Sequence, residues 1–298
     1  MFGQIRPIVV DENYTIPKMI KDTSEKFSEI AAQYKRVKGG EFEPVLYREL
    51  YQYGLDFGAA LLNLGVKREE PIGLISDNRA EWLWADLGIM GIGAIDVPRG
   101  CDATLIDLEK ILSITEAEIV VAENNAQVNK LVSLKDKLPA LNKIISIEDQ
   151  ITDEVKAAAA AANITLYYFD QMIKEGQKWR IENKDVVEAE VEKGTGEDLA
   201  TYIFTSGTTG TPKGVMLTYT NFLKQLDEVT ERIYLNPGDR ALSVLPVWHV
   251  FEREVEYVIL CQGAGIVYSK PIGSIMLADF QKMNPHLMPA VPRVFEAV

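Results

Sequence analysis

The chain's apolar pattern predicts an α/β fold: doubly wound sheets with helices packed between and around them. Three observations carry that expectation. From Pro71 to Ser146, short Val/Ile/Leu runs alternate with helix-length segments. Glycines stand where helices hand over to strands, as at Gly65 and Gly91–Gly93. Leu242–Tyr268 repeats the strand–helix–strand order of Leu74–Val97, including a Gly-rich turn before the second strand. At 298 residues, 47% hydrophobic and 25% charged, the chain has ample length for a sizeable core.

In chain order, Ile16, Met19, Ile20, Phe27, Ile30, Ala31 and Tyr34 fall at helical spacing and predict a surface helix over Ile16–Tyr34. A short strand is expected at Glu43–Leu46 and a helix over Tyr47–Leu64, closed by Gly65. Pro71–Ser76 reads as a buried strand. Asn78 and Glu81 have capping-box spacing, which accounts for a helix over Arg79–Met90. The strand Ala94–Val97 follows, and the crossover is expected to be right-handed. Helices over Leu105–Thr115 and Asn125–Leu138 alternate with strands at Glu118–Ala122 and Lys143–Ser146. Ala157–Ala162 predicts a peripheral helix with little to bury, Leu166–Phe169 a strand and Gln171–Gly176 a helical turn. The acidic, polar stretch Arg180–Asp198 is the linker expectation. It sets a division into residues 1–190 and 191–298, the second part carrying the strand pair at Leu199–Phe204 and Val215–Leu217. Thr218 caps a helix to about Tyr234. The repeated strand–helix–strand unit suggests two related sheets side by side.

A net charge of −13 argues against a general nucleic-acid binder, which needs a basic face. The two cysteines, Cys101 and Cys261, do not make a disulfide framework, and they fit a reducing cytoplasmic setting. With two histidines, a His/Cys zinc site is not expected. No stretch has the length of a membrane span. Peripheral contact with a membrane and the oligomeric state stay open.

Thr205–Gly214 reads Thr-Ser-Gly-Thr-Thr-Gly-Thr-Pro-Lys-Gly, with three glycines, five hydroxyls and one lysine. A hairpin tip of this kind cannot pack a core. Its glycines bare backbone amides in a concave row that suits anions, its hydroxyls add donors, and Lys213 adds a compact cation. The bland alternative is a flexible surface loop. A Walker loop is excluded by order, because Lys213 follows Pro212, precedes Gly214 and leads into a strand. The string resembles the phosphate-binding signature of the adenylate-forming synthetases, the superfamily of acyl-CoA synthetases and luciferases. The resemblance implies ATP phosphate binding by Thr205, Ser206, Gly207, Thr208, Thr209, Gly210 and Lys213, with Thr205 as a ligand of Mg²⁺.

Two further strings resemble the long-chain fatty acyl-CoA synthetases within that superfamily. His249-Val250-Phe251-Glu252-Arg253 follows a strand and Pro246, and Val291-Pro292-Arg293-Val294-Phe295-Glu296 lies near the end. The resemblance implies that Trp248 and His249 line an acyl or adenylate pocket, although Trp248 replaces a small residue frequent there. Without it, a histidine and tryptophan packed at a helix start is the simpler account, and Glu252–Glu256 reads as a solvated charged face. The helix entry at Pro289–Pro292 follows from proline geometry alone.

The resemblance covers nearly the whole chain, as the N-terminal domain of an adenylate-forming enzyme. The family's Tyr-Gly-x-Thr-Glu and Thr-Gly-Asp strings and its small C-terminal domain have no counterpart here, so a truncated chain, inactive alone, is expected. The implied activity is AMP-forming ligation of a long-chain fatty acid, with ATP, Mg²⁺ and coenzyme A. A stand-alone nucleotide-binding module and an aryl- or amino-acid-adenylating enzyme stay open as alternatives.

Overall fold

The computed structural model describes residues 10–37, 39–205 and 212–292. Its elements run α1 (Ile16–Lys26), β1 (Ala31–Arg36), β2 (Phe42–Leu46), α2 (Tyr47–Asn63), β3 (Pro71–Ile75), α3 (Ala80–Gly91), β4 (Ile95–Arg99), α4 (Leu105–Thr115), β5 (Ile119–Ala122) and α5 (Asn125–Ser133). They continue with β6 (Lys143–Ser146), α6 (Asp153–Ala161), β7 (Thr165–Tyr168), α7 (Phe169–Glu182), α8 (Val186–Lys193), β8 (Leu199–Thr205), β9 (Lys213–Thr218) and α9 (Tyr219–Thr230). The last are β10 (Arg240–Ser243), α10 (Val250–Cys261), β11 (Gly265–Tyr268) and α11 (Gly273–Met283).

Two sheets result. The larger has the order β7-β6-β5-β3-β4-β8-β9, and every neighbour pair is parallel except β8 with β9. The smaller has the order β10-β11-β1-β2, parallel except for β1 with β2. Alternate residues of the larger sheet's strands enter two separate cores. Ile72, Leu74, Val121 and Ile145 face the core shared with α1, α2, α3 and α10. Ile75, Val120, Ala122 and Ile144 face the core under α4, α5 and α6. That is the doubly wound arrangement, with period-two alternation distributing each strand between two layers.

All twelve residues of α3 are buried, because this helix lies between the two sheets and has no solvent face. Gly88 lets it meet α2 closely: a Cβ there would stand 2.9 Å from the Gly54 carbonyl oxygen and 3.0 Å from the Gly58 nitrogen. The repeated unit holds as well. β3-α3-β4 and β10-α10-β11 are both parallel strand–helix–strand units, one in each sheet.

Several expectations are corrected. The helix expected to Tyr34 ends at Lys26, with Phe27 as its C-cap, and Ala31–Arg36 is a strand held between β11 and β2. The helix expected to Leu138 stops at Ser133 before a short 3₁₀ turn at Lys135–Lys137, and α9 stops at Thr230. The turn at Gln171–Gly176 belongs to the longer α7. The acidic stretch Arg180–Asp198 is no linker. It contains α8, which buries Val187 and Val191, and Arg180 ties Asp56 and Glu188 at 2.6 and 2.7 Å. The division at residue 190 falls inside α8, and strands from both sides of it share each sheet. No helix among the described residues is long and apolar enough to cross a membrane.

Candidate functional site

The hydroxyl-rich string sits on the β8–β9 hairpin. Thr205 pairs with Lys213 at its base, and both are exposed. Ser206, Gly207, Thr208, Thr209 and Gly210 lie outside the described residues. Behind the base, a Cβ at Gly214 would stand 3.0 Å from the Phe204 ring, so an aromatic backs the root of the hairpin. Thr218 and Asn221 form a reciprocal cap that starts α9 directly after β9.

The second constellation is a corner between β10 and α10. Pro246 is exposed and Val247 buried, and the Pro246 carbonyl accepts the His249 N–H at 3.0 Å. His249 is the N-cap of α10, its Nδ1 accepting the Phe251 N–H at 3.3 Å, with its side chain exposed. Trp248 is half-buried, and its indole lies on Gly100, where a Cβ would fall 2.3 Å from the ring. Only glycine, with no side chain, leaves room for it.

Gly100 connects the corner to the hairpin. β4 and β8 are adjacent and parallel, with Asp96 opposite Thr201. Four residues further on, Gly100 and Thr205 both stand at the carboxyl edge of the larger sheet. Ligands of open α/β sheets bind at such edges. A groove of ≈ 330 Å³ lies elsewhere, between Leu217 of β9, Asn221, Phe222 and Gln225 of α9, and Val250 and Glu254 of α10, and none of Thr205, Lys213, Trp248 and His249 lines it.

The Glu252–Glu256 segment is not a solvated face. Glu252, Arg253 and Glu256 are 1%, 0% and 1% exposed. Arg253 reaches α3 and β4, donating to Asp86 and, at 2.9 and 3.2 Å, to Asp96. Its Nε also donates to the Tyr257 hydroxyl at 2.8 Å, which donates to Asp86 at 2.6 Å. Burial alone would lower the Arg253 pKa, but the two carboxylates carry it well above its ordinary value. Burial pushes Asp86 up to about 7, against the pull of Arg253. Burial likewise pushes Glu252 and Glu254 up to about 8 and Glu256 well up. The Ser243 hydroxyl and Val244 amide lie near Glu252 and pull it down, yet neither of its oxygens makes a well-formed hydrogen bond among the described residues.

Asn78 and Glu81 do not form the expected capping box, for α3 starts without a side-chain cap. Glu81 pairs instead with Arg79 at 2.9 Å and Lys35 at 2.5 Å; burial raises it, but these cations outweigh that and hold it at about 2. Asn78 reaches to the corner, donating to Ser243 Oγ at 2.8 Å and the Leu245 carbonyl at 2.6 Å and accepting from Val247 N–H at 3.0 Å. A local capping pattern hid this residue. The usable signal was a polar side chain at a strand's carboxyl end.

Asp77, Cys101 and Glu123, at the ends of β3, β4 and β5, form a cluster with metal-ligand spacing. Their polar groups are engaged locally: Asp77 accepts from Cys101 N–H at 3.0 Å, and Glu123 from Ser76 Oγ at 2.9 Å and Asp77 N–H at 2.8 Å. Pro292 is the last described residue, and Arg293 to Glu296 lie outside the described residues.

Compared with known proteins, residues 22–298 match the family model described as AMP-binding enzyme. The chain is 34% identical over 255 residues to the Arabidopsis thaliana protein named probable acyl-activating enzyme 16, chloroplastic, covering 85% of this chain and 35% of that protein. It is 30% identical over 286 residues to the Arabidopsis thaliana long-chain-fatty-acid–[acyl-carrier-protein] ligase AEE15, chloroplastic, covering 95% of this chain and 38% of that protein. Among solved structures, the anthranilate CoA ligase AuaEII in complex with anthranoyl-AMP matches with a TM-score of 0.81 at 19% identity, covering 96% of this chain and 51% of that one. The chain thus spans little more than a third of the length of these curated relatives.

Proposed function

The chain belongs to the AMP-binding enzyme family, and from that premise we propose that it is the N-terminal part of a ligase that activates a long-chain fatty acid with ATP. In this reading a carboxylate oxygen attacks the α-phosphorus of ATP. The bond to pyrophosphate breaks, and the acid leaves the step as an acyl-adenylate. A thiol sulfur of coenzyme A then attacks the acyl carbon, and AMP departs. The observation that carries the reading is the placement of the hairpin bearing Thr205–Gly214 at the same sheet edge as the Trp248–His249 corner.

Each residue has a physical task. Ser206, Gly207, Thr208, Thr209 and Gly210 would supply amides and hydroxyls to the β- and γ-phosphates, and Lys213 a point charge at the hairpin's base. Thr205 offers one neutral oxygen, which suits Mg²⁺ held mainly by phosphates and water. The ion would neutralise phosphate charge. The Asp77–Cys101–Glu123 cluster is a poor fit for it, because a thiol whose pKa burial has raised does not suit a hard cation. Trp248 would close the acyl or adenylate pocket with its indole face, and His249 would line the mouth through its exposed edge.

Fatty acid is favoured over aryl or amino acid by the His249–Arg253 and Val291–Glu296 strings and by the named function of the 30% identical relative. The anthranilate ligase likeness bears on fold alone at its identity. Because one relative is named as an acyl-carrier-protein ligase, a carrier protein competes with coenzyme A as acceptor.

The test is ATP–pyrophosphate exchange in this chain and in one extended to its relatives' length. Palmitate, anthranilate and amino acids are offered in turn, then coenzyme A and holo-carrier protein. Palmitate-dependent exchange in the extended chain, with none in this chain alone, is the expected result. Lys213→Ala should lower kcat/KM by roughly 10²-fold. Exchange driven only by aromatic or amino acids would overturn the fatty-acid reading.

A further inference from the structure

We infer that Asn78 is a positioning residue that sets where the Trp248–His249 corner stands at the carboxyl edge of the larger sheet. The inference rests on the ligase reading above for its function, though its geometry stands independently. One amide spends both donor capacity and acceptor on three partners from the other sheet's unit: Ser243 Oγ, the Leu245 carbonyl and the Val247 amide. The corner it holds has no ladder of its own. Leu245 and Val247 lie between the end of β10 and the start of α10, so their backbone groups need partners from elsewhere. The hold continues inward, for Ser243 Oγ donates to buried Glu256 at 3.0 Å.

The neighbouring residue secures the opposite side. Asp77 accepts from Cys101 N–H, and Lys130 donates to the carbonyls of Cys101 and Ala103 at 2.9 Å each. That pins the turn after β4 on which the Trp248 indole rests. The dipeptide Asp77-Asn78 thus fixes both the floor under the indole and the backbone that carries it. Asparagine is required chemically. An ionised aspartate could still accept from Val247 but has no proton for Ser243 or Leu245, and would face the Leu245 carbonyl oxygen with a negative charge.

The experiment uses this chain. The Trp248 emission is isolated by subtracting a Trp248→Phe variant, and its acrylamide quenching is measured. Binding of Mg-ATP and of a non-hydrolysable palmitoyl-sulfamoyl adenosine is titrated in parallel. Asn78→Ala and Asn78→Asp are expected to red-shift and expose the Trp248 component. They should weaken the acyl-adenylate analogue by roughly ten- to a hundredfold while leaving Mg-ATP affinity within about twofold. Thr152→Ala, which removes the α6 cap on the far side of the larger sheet, controls for lost stability and should leave the Trp248 signal alone. Should the Asn78 variants fail to fold, Gly100→Ala displaces the same indole from its other side and should produce the same shift and loss. An unchanged Trp248 signal in folded Asn78 variants, or analogue binding equal to the parent's, overturns the inference. If the parent binds neither probe, the titrations are read in the chain extended to its relatives' length, whose failure to bind would count against the ligase reading, while the fluorescence decides separately whether Asn78 holds the corner.

Discussion

Glu252 shows how residue chemistry departs from residue type. Its carboxyl group is buried on α10 without a well-formed hydrogen bond among the described residues, and burial lifts its pKa from 4.5 to about 8. The folded protein therefore holds a proton that the unfolded chain releases above about pH 4.5. The associated stability is present in full below that pH and is lost as pH rises toward 8. Glu254 and Glu256 act in the same sense. Thermal unfolding should show the protein less stable at pH 8 than at pH 5.5, and Glu252→Gln should remove on the order of 2–4 kcal/mol of that difference. Equal pH slopes in parent and variant would show that Glu252 does not carry the proton. None of this is visible in Phe-Glu-Arg-Glu-Val-Glu, where alternating charge reads as a wet surface.

At the scale of elements, α10 and α3 are joined by charge where apolar ridges would ordinarily meet. Arg253 leaves α10, lies about 5.5 Å from the Trp82 and Phe222 ring centres, and ends between Asp86 of α3 and Asp96 of β4. All three charged side chains are fully buried. Removing one partner strands the others, so Arg253→Ala is expected to cost about 3–5 kcal/mol, and Arg253→Met little less, since both leave two aspartates unpaired. Replacing Arg253, Asp86 and Asp96 together with apolar residues of similar volume should recover most of that loss. Chemical denaturation of the single and triple variants measures it. A triple variant no more stable than the singles would rule out desolvated charge as the cause. The pair also ties the two strand–helix–strand units together, one from each sheet.

At the scale of the molecule, the sheets ignore the order of the chain. β1 and β2, from the first fifty residues, complete the sheet of β10 and β11, while β8 and β9 complete the sheet of β3 to β7. Residues 191–298 expressed alone would leave β8 without β4 and β11 without β1. We expect that piece to show no cooperative thermal unfolding by circular dichroism, and a sharp transition would restore the division at residue 190. The alternation over Pro71–Ser146 was legible because strands buried on both faces read as unbroken Val/Ile runs. The string at Thr205–Gly214 was legible as a family signature because its ten residues are contiguous, and the matching family model spans them. Ala31–Arg36 was misread because its apolar residues also fit a helical period, and only pairing with β11 makes it a strand. Asn78 was misread because its true partners lie 165 to 169 residues away.

The sequence by itself determined the alternating elements, the fold class and the family, since each rests on local periodicity or on a contiguous string. Only the tertiary structure decided which strands share a sheet, that the charges of α10 are buried, and that Asn78 holds the corner opposite Gly100. Those facts depend on contacts between segments remote in the chain, where solvent exclusion and hydrogen-bond geometry act and local spacing carries no record of them.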